Sequence, residues 1–194
     1  MSAVTGLLFL LGQGKAPSLG GLTLSPMVAV AGGSSVESIF RTRTEVEPQR
    51  WDAIVIHHSA SPFGSPKSIE EEHRRGNLLG LGYHFVIGNG SGMGEGDIHV
   101  GYRWLDQLAG AHAIGPDAEM YNRRAIGICV VGDGNRRAFP DLQVRRLAQL
   151  VAALSRELNI PPDRILLQKD IAESSSPGRY FPEAAFRQYL EGMR

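Results

Sequence analysis

Three short, β-rich apolar runs interrupted by helical patterns constrain this chain more than any other feature. They are Asp52 to His58, Tyr83 to Ile87 and Ile126 to Val131, each too short for a buried helix. Between and after them the period changes. Leu147, Leu150, Val151, Leu154 and Leu158 recur at three- and four-residue spacing, which gives an amphipathic helix, with Asp141 placed to cap it. Ser68-Ile69-Glu70-Glu71 has the form of a capping box, predicting a helix from there to about Leu79 that ends at Gly80 or Gly82. The Gly- and Asn-rich segment 88–96 predicts a hairpin whose return strand runs from Asp97 to Tyr102. Ile165 to Leu167 reads as a further short strand, and Glu183 to Leu190 as a last helix behind Pro182. Strands interleaved with helices predict an α/β fold, a single mixed central β-sheet flanked by helices.

The chain of 194 residues is long enough for one well-packed domain and a tail. Residues 1–48 are rich in Gly, Ser, Ala and Pro and show no helical or strand period, so they read as a leader, tether or linker; 49–194 reads as the domain. The apolar run Gly6 to Gly12 has no preceding Lys or Arg, as an ordinary signal peptide would, and falls far short of the roughly 20 residues that cross a bilayer. No transmembrane span is expected. Twenty basic residues balance twenty acidic ones, and the Arg123-Arg124, Arg136-Arg137 and Arg145-Arg146 pairs are short. That balance argues against a nucleic-acid partner.

The single cysteine, Cys129, lies within the third apolar run, where a thiol acts as a small core hydrophobe; it excludes an intrachain disulfide and any multi-cysteine metal site. All six histidines lie at or before His112, so the last third of the chain holds no strong zinc ligand. Five segments then matter together: Ile56-His57-His58-Ser59-Ala60; Gly82-Tyr83-His84-Phe85-Val86-Ile87; Gly110-Ala111-His112; Ile126 to Gly132; and Lys169-Asp170-Ile171 through Ser176-Pro177-Gly178-Arg179-Tyr180-Phe181-Pro182. In order and spacing they resemble the type 2 N-acetylmuramoyl-L-alanine amidases and the peptidoglycan-recognition proteins of the same fold. The resemblance covers about Trp51 to Leu190.

The resemblance implies a zinc ion held by two histidines and a cysteine or aspartate, with a water in the fourth position that the metal activates against the muramoyl–alanine amide. The first ligand maps onto His57. The other two positions carry Gln168 and Ser176, a neutral amide and a hydroxyl, which are weak ligands and bring no anionic charge. Two readings follow. In the first, the chain is a peptidoglycan or muropeptide binder, catalytically impaired and without a metal. In the alternative it is an active zinc amidase of cell-wall turnover, its site completed differently, with His112 the remaining candidate.

By the same resemblance Tyr83 matches a tyrosine that donates to the oxyanion, and Ser174 falls where an assisting lysine or threonine often stands. Tyr83, His112, Trp104, Asn122 and Arg123 are the expected groove-lining residues. Side chains alternate along a strand, so with His57 facing the site His58 should face away, and with Tyr83 facing the groove so should His84. Asp170 is expected to fix a local turn. A peptidoglycan ligand implies the cell envelope, periplasmic or secreted.

Overall fold

In the computed structural model the residues described are 21–24 and 36–193. The apolar run Gly6 to Gly12 lies outside them. Among the described residues six strands form one mixed sheet: β1 (Leu22–Leu24), β2 (Ala53–His58), β3 (Phe85–Ile87), β4 (Ile98–Val100), β5 (Ala125–Val130) and β6 (Ile165–Leu167), in the order β1-β4-β3-β5-β2-β6. β3, β5, β2 and β6 run parallel, whereas β4 and β1 are antiparallel additions at one edge. All six residues of β2 and of β5 are buried, which is why these runs are apolar without alternation: helices and loops cover both faces. The register pairs His57 with Cys129, and Cys129 with Val86, so the middle of the sheet brings three conspicuous segments level with one another.

Among the described residues five α-helices surround the sheet: α1 (Pro66–Arg75), α2 (Tyr102–Leu105), α3 (Ala118–Arg124), α4 (Asp141–Leu158) and α5 (Glu183–Glu191). The apolar stripe of α4, Leu147, Leu150, Val151 and Leu154, packs on Ile54, Ile56, Phe85, Ile87, Ile126 and Ile128, and α5 closes this layer with Phe186 and Leu190. On the opposite face Ile69 of α1 meets Val86, Cys129 and Val131, with Tyr83 partly buried against them. Among the described residues no helix is long and apolar enough to cross a membrane.

Local chemistry moved several boundaries. Helix α1 starts at Pro66, two residues before the expected box. Ser65 is the N-cap, its hydroxyl accepting from Ser68 N at 3.1 Å while Ser68 Oγ accepts from Ser65 N at 2.9 Å. Proline at the first helical position supplies the helical φ and lacks an N–H that would go unused, so Ser68 becomes the far half of a box rather than its start. The helix stops at Arg75, and Asn77 follows at φ 66°, short of the expected Leu79. Asp141 does not cap α4: Pro140 is the N-cap, and the Asp141 carboxylate takes the Tyr189 hydroxyl (2.8 Å) and Arg145 (2.7 Å). The return strand of the hairpin ends at Val100, and Tyr102 begins α2.

Packing also reaches back beyond residue 49. Val36–Phe40 forms a 3-10 turn in which Ile39 is 1% exposed, and its carbonyl accepts from Trp104 Nε1 at 2.8 Å. Arg43 adds an ion pair with Asp106 at 2.7 Å. The buried stripe of α4 makes a stability prediction. Leu150→Ala should cost about 2–5 kcal/mol in a urea titration, whereas Leu79→Ala, at a site 82% exposed, should stay within about 0.5 kcal/mol. Equal effects at the two sites would contradict the assigned packing.

Candidate functional site

Strand β2 ends by sending two adjacent histidines to opposite faces of the sheet, as alternation requires. His58 turns to the loop after β5, where its Nδ1 accepts from Gly134 N at 3.0 Å. His57 turns to the face that carries α1 and Tyr83. It is fully buried, and its Nε2 lies 3.1 Å from His112 Nδ1. His112 Nε2 in turn lies 3.2 Å from Ala125 O.

The protons in this chain have one consistent arrangement. A carbonyl only accepts, so His112 must carry its hydrogen on Nε2. A neutral His112 then offers a lone pair at Nδ1, and His57 donates to it from Nε2. Both rings are held neutral: burial, followed by the nearby His112, lowers His57 well below the ordinary histidine value, and burial pushes His112 down to about 4. His57 is thereby left with a bare lone pair at Nδ1. That atom is buried and has no well-aligned hydrogen bond, and Gln168 is the neighbouring side chain that acts on the ring.

Tyr83 sits among three imidazoles, its ring centre 5.2 Å from those of His57 and His73 and 6.4 Å from that of His112, nearly parallel to the last. Burial raises its phenol well above the ordinary value, with the Cys129 thiol beside the hydroxyl. The Cys129 thiol is itself pushed far up by burial, which suits a core residue and not a nucleophile. His73 was not placed from the sequence. It comes from the last turn of α1, and its Nδ1 accepts from Gly82 N at 2.9 Å, which ties the helix to the segment carrying Tyr83. His84 faces away from Tyr83 as expected but is no bystander: Gly127 N donates to its Nδ1 at 3.0 Å, and Leu108 O accepts from its Nε2 at 3.1 Å.

The segment after β6 closes the site. Asp170 accepts from Leu167 N at 2.8 Å and sets the turn, as its expected role required. Ser176 is buried. Its Oγ accepts from His58 N at 3.0 Å, its carbonyl accepts from Lys169 N at 2.9 Å, and its N–H donates to Ser174 Oγ at 3.1 Å. Ser174 therefore braces Ser176 and shows no direct link to His57.

The groove residues divide. Tyr83 stays at the site, partly buried. His112 lies beneath it with both ring nitrogens engaged. Asn122 is turned inward, its Oδ1 accepting from His112 N (2.7 Å) and Ala113 N (2.9 Å), so it clamps the loop under His112. Arg123 is exposed and paired with Glu119 at 2.6 Å on α3. Trp104 is corrected outright: it is 0% exposed, packed edge-on or tilted among Phe40, Trp51 and Phe85, and cannot line a groove. Its place was misjudged because an indole suits a sugar face and a core equally well. One signal for His112 was present in the chain. Gly127 interrupts a buried strand because a Cβ there would overlap the His112 ring.

Among the described residues no three His, Cys, Asp or Glu side chains come together as a metal cluster. One imidazole with a neutral amide and a neutral hydroxyl does not fit a zinc ion, and His112 has no nitrogen to spare.

A mixed sheet with four parallel strands and a histidine near the end of its penultimate strand, covered by a helix and a closing loop, defines an α/β domain with a histidine-lined site on one face of the sheet. The chain belongs to the N-acetylmuramoyl-L-alanine amidase family, whose model matches residues 47–179. It is 31% identical over 111 residues to the endolysin of Escherichia phage T7, an alignment covering 53% of this chain and 66% of that protein. The endolysin of Enterobacteria phage T3 is 30% identical over the same span. Among solved structures it is similar to the N-acetylmuramoyl-L-alanine amidase LysC of Clostridium intestinale, with TM-score 0.62 and 28% identity over 77% of this chain and 92% of that one. Drosophila peptidoglycan recognition protein SA shares the fold, with TM-score 0.57 and 21% identity over 87% of this chain and 83% of its own.

The buried histidines set a pH dependence. His57, His84, His99 and His112 all titrate below 6.5 in the folded chain, the last two at about 4. The unfolded chain therefore binds more protons between about 4 and 6.5, so their stabilisation is complete above 6.5 and is lost as pH falls through that window. The urea midpoint should drop from pH 7 to pH 5 by an amount worth a few kcal/mol. An unchanged midpoint would show that these rings are not buried neutral.

Proposed function

We propose that this chain binds peptidoglycan fragments, muropeptides, over the Tyr83–His57 face and does not hydrolyse them. The observation that carries this reading is the state of the closing segment. Its frame is kept: Asp170 sets the turn and Ser176 is locked to His58 N, yet the two positions that the resemblance assigns to metal ligands hold Gln168 and Ser176. A frame kept without its ligands supports recognition without the metal-activated water. Unstrained amides resist attack by neutral water, and no other group at the site is placed to activate one.

The second reading, an active zinc amidase completed by His112, has less support. That ring gives Nδ1 to His57 and Nε2 to Ala125 O, so recruiting it would break two buried hydrogen bonds. A muropeptide ligand places the protein in the cell envelope. The balanced charge favours this ligand over a polyanionic one.

The test is elemental analysis of dialysed protein, with calorimetric binding and chromatographic cleavage assays using N-acetylmuramoyl-L-alanyl-D-isoglutamine and added zinc. Binding with no stoichiometric zinc and no cleavage is expected. Stoichiometric zinc with cleavage would overturn the reading in favour of the amidase. Because the frame is kept, the double substitution Gln168→His with Ser176→Cys should raise zinc content to near one per chain, by supplying an imidazole and a thiolate.

A further inference from the structure

The layer formed by α4 carries a charge that the rest of the fold does not answer. Arg146 is 9% exposed, and the ion pairs of this helix go instead to Arg145 and Arg156. Arg146 Nε donates to Gly96 O at 3.1 Å and Nη1 to Gln149 Oε1 at 2.8 Å, both neutral acceptors. Its Nη2 is buried and, among the described residues, has no acceptor. Asp97 acts on the guanidinium only from beyond ion-pair range. Residues 1–36 contain no Asp or Glu, so that part of the chain has no side-chain carboxylate to offer. A guanidinium buried without an anion is unfavourable, and a carboxylate is the group whose geometry matches it.

Arg146 lines a cavity of about 440 Å³ between α4 and the 3-10 turn Val36–Phe40. Val36, Ala152, Ala153 and Met193 give it apolar walls. The second guanidinium there, Arg156, is already shared by Glu37 at 3.8 Å and Glu157 at 3.3 Å. Ala152, Arg156 and Met193 also line a second cavity of about 270 Å³, which runs on to Ile165 and Leu190. With a rise of about 1.5 Å per residue, Ala152 and Arg156 stand roughly 9 and 15 Å along the helix from Arg146. The two cavities make one elongated groove, cationic at the Arg146 end and apolar at the other. It lies on the α4 side of the sheet, opposite the face that carries α1 and Tyr83.

We infer that this groove binds a long-chain acyl carboxylate, its head group accepting from Arg146 Nη2 and its chain lying over Ala152, Met193, Ile165 and Leu190. One anionic head answers the one unpaired charge, and an extended chain covers apolar wall that a small anion would leave wet. Glu37 and Glu157 at the rim disfavour a polyanion, whereas a slender uncharged chain passes between them and the apolar wall. The site is separate from the muropeptide face and does not depend on that reading.

Calorimetry on the full chain tests it, with acetate, hexanoate and decanoate below their micellar concentrations and decanol as the uncharged control. Decanoate should bind at about one per chain, hexanoate more weakly and acetate not measurably, with decanol about tenfold or more weaker than decanoate. Arg146→Met keeps the length of the stem and should erase the preference for decanoate over decanol. Met193→Glu, at a position 37% exposed, should weaken decanoate about tenfold while the urea midpoint stays unchanged, so the test stands even if the Arg146 variant fails to fold. No binding of decanoate, equal binding of decanoate and decanol, or binding that survives both substitutions overturns the inference. Acetate binding as tightly as decanoate overturns it in favour of a simple anion site. Uptake onto phosphatidylglycerol vesicles without binding of dissolved decanoate overturns it in favour of a membrane surface. Muropeptide binding, measured on the same protein, is expected to be unaffected by either substitution.

Discussion

His57 stays buried because His112 accepts its Nε2–H, and His112 stays buried because Ala125 O accepts in turn. Each link removes a polar atom that would otherwise lie unpaired in the interior. The arrangement reaches outward: Asn122 clamps the His112 backbone, Gly127 leaves room for its ring, and His84 bonds across Gly127 N to Leu108 O. Loop 110–113, strand β5 and the end of β2 are thus joined through imidazoles, by neutral hydrogen bonds.

The same economy holds on the other face of β2. Ser176 accepts from the His58 backbone and is itself held by Ser174 and Lys169 N. Ser176 thus ties the closing segment to the end of β2 through its hydroxyl and to Lys169 N through its carbonyl, so the turn is held by neutral hydrogen bonds.

Much of the fold was legible in the chain because it is written in periodicity. The unalternating runs of β2 and β5 required burial on both faces, and the stripe of α4 required a sheet to pack on. Boundaries were less legible, because caps compete: Ser65 followed by Pro66 outbid Ser68, and Pro140 displaced Asp141. Trp104 shows the limit of residue type as a guide. Its indole N–H needed a buried acceptor, and Ile39 O, 65 residues earlier, supplied it. No local pattern announces such a partner.

The sequence by itself determined the alternation of strands and helices, the family, and the presence of Gln168 and Ser176 in the closing segment. These depend on local spacing and on motifs in register, which a linear chain displays. Only the tertiary structure decided that His112 lies under His57, that His73 and Asn122 serve as ties, and that Trp104 is core. Those outcomes are set by which hydrogen-bond donors and acceptors meet across 9 to 65 residues once the sheet has formed. The tautomer of His57 follows from that meeting and from nothing nearer in the chain.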